Sequence, residues 1–220
     1  MPSKISTNLQ KIQSQLASNV SLIAVTKNRP LEQVWDLYNA GYRIFGENRV
    51  QDLVEKFELL PKDIQWHLIG HLQTNKVKNI APFISLIQSV DSLKLLKIID
   101  KEGKKNNRVI PCLLQFFLAK EETKFGFEWA EAIALLDSDE FKTMTNIEII
   151  GIMGMASNTK DDVLIKTEFQ QLKSVFEALK QQYFFHKTQF KEISMGMSGD
   201  YLIAQAEGST MVRVGSALFE

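Results

Sequence analysis

Apolar residues at Ile5, Leu9, Ile12 and Leu16 recur at steps of three and four between polar positions, a spacing that predicts an opening amphipathic helix. Ser21 to Val25 follows as a short buried strand, and the alternation of helix-like and strand-like stretches then repeats along the chain. Strands are predicted at Ser21 to Val25, Tyr42 to Phe45, Ile64 to Ile69, Leu86 to Val90, Val109 to Phe117, Ile147 to Met153, Phe190 to Ser194 and Met211 to Val214. The clearest intervening helix runs through Ile165, Phe169, Leu172, Phe176, Leu179 and Tyr183, with charged or amide side chains on its other face. Apolar strands alternating with helices predict a parallel sheet covered on its outside. Eight such units are the count that closes an α/β (β/α)8 TIM barrel, here with an additional N-terminal helix. An open doubly wound sheet is the competing architecture, because periodicity does not distinguish closure from openness.

No Gly/Ser-rich or Pro-rich linker interrupts this pattern, and Lys101 to Arg108 reads as a short solvated turn, so a single domain over residues 1–220 is expected. The chain is 45% hydrophobic and 24% charged, as soluble globular chains are. A domain of this length buries roughly three-quarters of its unfolded surface, so no disulfide or metal staple is required. Its 26 Lys+Arg balance 26 Asp+Glu, which argues against a nucleic-acid footprint. The lone Cys112 has no internal disulfide partner, which fits a reducing compartment. The N-terminus is polar, no apolar run approaches about 18 residues, and no lipidation signal is present. A cytoplasmic protein without a membrane partner is expected.

In a barrel of this kind the chemistry sits at the C-terminal ends of the strands, and phosphate is commonly held by the loops after the last two. Lys27 follows the first strand directly and is either a solvated loop lysine or an imine-forming amine in a partly desolvated pocket. Asn48, in Gly46-Glu47-Asn48-Arg49, is either a helix cap or a ligand contact. His67 lies inside the third strand as a hydrogen-bonded core imidazole or a catalyst, with His71 nearer the loop. Neither histidine has metal-site spacing. Met153 ends the sixth strand, where it either fills the barrel or presses on a flat ring. The small residues of Ser194 to Asp200, which include Ser198, allow close backbone approach and an anion at the following helix. Arg213 and Gly215-Ser216 end the eighth strand, the neighbour of the first once the barrel closes. Each turn alone is generic; with Lys27 they describe a phosphate clamp beside an amine.

The segments Ala24 to Lys27, Phe45 to Gln51, Trp66 to Lys76, Ser194 to Asp200 and Gly208 to Phe219 resemble the pyridoxal-phosphate homeostasis protein family, also described as proline synthetase co-transcribed homologues. These are single-domain barrels related to the N-terminal domain of alanine racemase. The resemblance runs from first strand to last. It implies that Lys27 forms the internal aldimine with pyridoxal 5′-phosphate and that Ser198 with the amides of Gly215 and Ser216 binds its phosphate. It implies further that Arg213 faces the pyridine nitrogen; Asn48, His67 and Met153, singled out by their places at the strand ends, are the remaining candidate cofactor contacts. A guanidinium only donates hydrogen bonds and stays charged, so it disfavours protonation of that nitrogen and weakens the ring as an electron sink. One departure is Gln115 to Ala119, where the family usually shows an Asn with small polar neighbours before the stretch kept here as Glu121 to Phe127.

A racemase needs a second acid/base on the opposite cofactor face, and the chain is expected to lack the racemase's extra β domain because it ends at Glu220 after the eighth unit. The expected function is therefore intracellular cofactor homeostasis without substantial turnover, with no catalytic residue and no metal. Amino acids and recipient pyridoxal-phosphate enzymes are the implied partners, and a monomer is preferred. The alternatives are a weak amino-acid racemase or transaminase-like enzyme using Lys27 and His67, and a phosphate-ester enzyme in which Lys27 supplies only charge.

Overall fold

A computed structural model of the chain describes residues 3–118 and 126–220. Its strands are β1 (Ser21–Val25), β2 (Ile44–Glu47), β3 (Gln65–Leu68), β4 (Leu86–Val90), β5 (Ile110–Phe116), β6 (Ile147–Gly154), β7 (Glu192–Ser194) and β8 (Met211–Val214). They pair in chain order, all parallel, and β8 closes on β1. Closure decides between the two architectures that periodicity left open. The described helices are α1 (Lys4–Gln15), α2 (Leu31–Asn39), α3 (Val50–Leu59), α4 (Val77–Ile80), α5 (Leu93–Lys105), α6 (Trp129–Asp137), α7 (Asp139–Lys142), α8 (Asp162–Gln182), α9 (Tyr201–Ala206) and α10 (Ser216–Phe219).

Local chemistry explains the elements. Ser3 caps α1 by accepting from the Ser6 amide, and Ile5, Leu9 and Ile12 are the buried face. That face packs on α2 and α10, and Asn8 Nδ2 donates to the Leu218 carbonyl at 3.0 Å. The long α8 is capped by the Asp161 carboxylate and buries Ile165, Phe169, Leu172, Phe176 and Leu179 against the barrel. Each such side chain contributes about 1.5–3 kcal/mol on burial. The seventh strand is shorter than the apolar run beginning at Phe190 predicts. Phe190 instead leaves the ladder to stack on Phe184 at 4.2 Å and Phe176 at 5.0 Å.

Strand alternation divides the barrel interior into layers. Ile23, Leu86, Leu113, Met153 and Met211 form a buried apolar cluster. Across the seam Ile23 is the register partner of Arg213, and elsewhere Gly46 partners His67 and Met153 partners Ser194. The polar side chains of His67, Gln88, Ser194 and Arg213 are also buried, and hydrogen bonds join them into a second layer. Of the divergent Gln115 to Ala119 segment, Gln115 and Phe116 are buried on β5, whereas Ala119 and most of the Glu121 to Phe127 stretch lie outside the described residues.

Candidate functional site

A cavity of about 550 Å3 is lined by Val25, Lys27, Asn28, Arg29, Asn48, Ile69, Met155, Met197, Ser198, Gly199, Arg213, Gly215 and Ser216, all at or just beyond the C-terminal ends of the strands. Six of the eight sequence-predicted site residues meet there: Lys27, Asn48, Ser198, Arg213, Gly215 and Ser216. His67 and Met153 are absent from its lining. Met153 belongs to the apolar cluster, and Met155, two residues further along the same alternation, reaches the mouth instead.

Lys27 stands exposed on the rim, two residues beyond β1, in the more solvated of the two settings its sequence left open, and it lines the cavity. Asn28 follows with φ 57, a left-handed conformation that Asn tolerates, and Arg29 N donates to the Thr26 carbonyl at 3.1 Å to close the turn. Behind the turn lies a buried ion pair. Lys56 Nζ on α3 donates to Glu47 Oε1 at 2.5 Å and to the Thr26 carbonyl at 2.7 Å, and Thr26 Oγ1 donates to the same carboxylate oxygen at 2.5 Å. The lysine therefore holds the residue before Lys27. Glu47 Oε2 is buried without a hydrogen-bond partner among the described residues.

Asn48 reaches the mouth because its loop lies directly against Gly70. A Cβ at Gly70 would sit 2.4 Å from the Asn48 carbonyl oxygen, so only glycine permits the approach. On the other side, Glu168 of α8 accepts from the Ser157 amide and hydroxyl, both at 2.7 Å, and so ties down the loop that carries Met155.

At the far rim Ser198 Oγ accepts from the amides of Gly215 at 3.1 Å and Ala217 at 3.4 Å. The Ser198 loop is shaped by Asp200, whose carboxylate accepts from the Met197 amide at 2.5 Å; burial raises this carboxyl above its ordinary value. Arg213 is buried to 5% exposure and donates from Nη1 to Ser194 Oγ at 2.6 Å and from Nη2 to the Gly154 carbonyl at 3.0 Å. Burial pushes its pKa down to about 10, against the charge of Asp200, so it remains a cation near neutrality. Below it, burial lowers His67 to about 4 and leaves the imidazole neutral. Burial also raises the Cys112 thiol, which leaves it a packing group.

This donor set fits a phosphorylated aldehyde. Its rim offers one primary amine, the hydroxyls of Ser198 and Ser216, the backbone amides of their turns and the guanidiniums of Arg29 and Arg213, and no carboxylate, imidazole or phenol occurs among the described lining residues. Among the described residues no group of three or more His, Cys, Asp and Glu side chains could hold a metal. His71 lies on a separate cleft and pairs with Asp91 at 3.1 Å. The sequence reading missed Glu47, Lys56, Gln88, Ser194 and Met155. For Met155 the period-two step from Met153 marked the shared face but not the height on it; the others needed contacts between distant segments.

The model for the alanine racemase N-terminal domain matches residues 2–220. The "Pyridoxal phosphate homeostasis protein" of Aquifex aeolicus is 35% identical over 199 residues, 90% of this chain and 85% of that one. The protein of the same name from Synechocystis is 36% identical over 211 residues, 95% of this chain and 94% of its own. The structure of PipY from Synechococcus elongatus with PLP bound superposes with a TM-score of 0.89 at 35% identity, covering 98% of this chain and 100% of that one. Alanine racemase from Bartonella henselae shares the fold, with a TM-score of 0.72 at 17% identity over 58% of its length.

Proposed function

Since the chain belongs to the alanine racemase N-terminal-domain family and, within it, to the pyridoxal phosphate homeostasis proteins, we propose that it binds pyridoxal 5′-phosphate and holds it as a Schiff base on Lys27 without substantial catalytic turnover. The observation that carries this reading is the meeting of Lys27 with the Ser198, Gly215 and Ser216 turns in one cavity. Bound there, the cofactor supplies an electrophilic aldehyde and a ring that can withdraw electrons.

Each residue has a role set by its chemistry. Lys27 Nζ is the amine, and its exposure lets competing amines reach the same carbon, so the attachment exchanges. Ser198 accepts two amides and keeps its own hydroxyl proton for a phosphate oxygen. Arg213 faces the ring nitrogen as a fixed donor and keeps that nitrogen unprotonated. Two observations support the absence of turnover: the described lining holds no second acid or base, and His67 is buried outside that lining. The exposed mouth suits reversible exchange with amino acids and delivery to recipient enzymes. We place this single-domain protein, as a monomer, in the cytoplasm, where a buried free thiol at Cys112 is unexceptional.

The test is a visible spectrum of the cofactor-loaded protein before and after borohydride, followed by peptide mass mapping. A phosphopyridoxyl adduct on the Lys27 peptide is expected. A colourless protein, or an adduct confined to other lysines, overturns the reading. Solvent deuterium appearing at the α-carbon of added amino acids, and lost in Lys27→Ala, would replace homeostasis by racemase-like or transaminase-like catalysis.

A further inference from the structure

From the cavity wall into the barrel four buried side chains from four strands form an unbroken line: Arg213 on β8, which lines the cavity, then Ser194 on β7, Gln88 on β4 and His67 on β3. Arg213 Nη1 lies 2.6 Å from Ser194 Oγ, Ser194 Oγ lies 2.6 Å from Gln88 Oε1, and Gln88 Nε2 lies 3.0 Å from His67 Nδ1. None of the four is more than 6% exposed.

The proton positions follow from what each group can do. A guanidinium only donates, so Ser194 Oγ must accept from Arg213 and has one proton of its own to place. That proton goes to Gln88 Oε1. The amide then turns its N–H toward His67 Nδ1, which must accept, so the ring proton sits on Nε2. The reversed amide fails: it would aim a second donor at Ser194 and leave the buried hydroxyl proton with no acceptor along this line. A proton on His67 Nδ1 would place two donors face to face. The direction of the whole chain is thus dictated by the arginine at its head.

We propose that Gln88 and Ser194 are positioning residues that join Arg213 to His67 in a one-way donor chain, fixing the guanidinium under the cavity and holding His67 as the neutral Nε2–H tautomer. With Nη1 tied to Ser194 and Nη2 to the Gly154 carbonyl, the guanidinium plane is set by two acceptors on different strands. The remaining N–H groups are left for what occupies the cavity that Arg213 lines. Asp200 is the acidic group whose charge acts on Arg213 from the β7–α9 loop. The barrel interior then carries one fixed positive charge at this level and not two. The link to the cofactor rests on the proposed placement of its ring nitrogen against Arg213; the chain itself does not.

The test has two arms, both on the full-length protein. In the cofactor-free protein, imidazole nitrogen NMR should show His67 as the Nε2–H tautomer from pH 6 to 8. Gln88→Glu, whose carboxylate accepts from both sides, should move the proton to Nδ1 and raise the His67 titration by at least one pH unit. Ser194→Ala should yield mixed tautomers and guards against a misfolded Gln88 variant. A wild-type Nδ1–H tautomer, or a His67 signal unchanged in both variants, overturns the chain. In the loaded protein, Gln88→Glu should raise the pH midpoint of the cofactor's absorbance by at least one unit, and an unchanged midpoint overturns the positioning role. If the NMR arm succeeds and no cofactor spectrum forms on Lys27, the proposed function fails and the chain stands.

Discussion

Ile23 of β1 and Arg213 of β8 are register partners across the seam that closes the barrel. That one pairing sets the lateral distance between the first and last strands, so Lys27, just beyond β1, and the Gly215-Ser216 turn, just beyond β8, emerge on the same rim. The anchors proposed for the two ends of one cofactor therefore come from opposite ends of the chain and depend on barrel closure.

Lys27→Ala should abolish the borohydride-stable adduct and leave phosphate-dependent binding, because the anion-holding turns belong to other loops. Equilibrium dialysis against pyridoxal phosphate and pyridoxal, with and without borohydride, measures both. Loss of all binding by the variant would mean that the lysine carries the affinity alone.

Ser198→Ala leaves the amides of Gly215 and Ala217 without their acceptor and removes a hydroxyl donor to a charged oxygen. Retention of the cofactor should weaken by about 1–3 kcal/mol. Dissociation constants of the two proteins, compared at one ionic strength, check the value; equality would remove Ser198 from the phosphate site.

Arg213→Glu replaces the fixed cation with an acceptor. Protonation of the ring nitrogen should rise, and the absorbance of the bound cofactor should titrate at higher pH. An unchanged spectrum and pH profile would show that Arg213 does not face the ring.

Because burial lowers His67 from 6.5 to about 4, the unfolded chain binds a proton between those values that the folded chain refuses. Stability from this group is complete above pH 6.5 and is lost as pH falls toward 4, by about 3 kcal/mol in total, with no further change below. Urea unfolding from pH 7 to 4.5 should show this slope in the wild type and a shallower one in His67→Gln. Parallel slopes would place the acid sensitivity elsewhere.

Lys56→Met strands the Glu47 carboxylate, which is 0% exposed, and should cost about 3–5 kcal/mol. Adding Glu47→Gln to that variant should recover part of the loss, since no buried charge then remains. Thermal melts of the two single variants and the double variant supply the cycle; strict additivity would show that the pair is not coupled.

Strand number and most element positions were legible in the sequence, because each buried strand is a local apolar run and each covering helix a local stripe; strand order waited on closure. Lys27 and Arg213 were conspicuous for the same reason, as charges at the ends of apolar strands. Period-two alternation, however, states only which residues share a face. It does not say how high on that face a side chain stands, and so Met153 could not be separated from Met155. Nor could local pattern join Gln88 to Ser194 or Lys56 to Thr26, since those bonds exist only at the registers and helix placements of a closed barrel. The sequence by itself determined which residues could do chemistry; tertiary structure decided their layers, because closure and register convert a repeating face into particular distances.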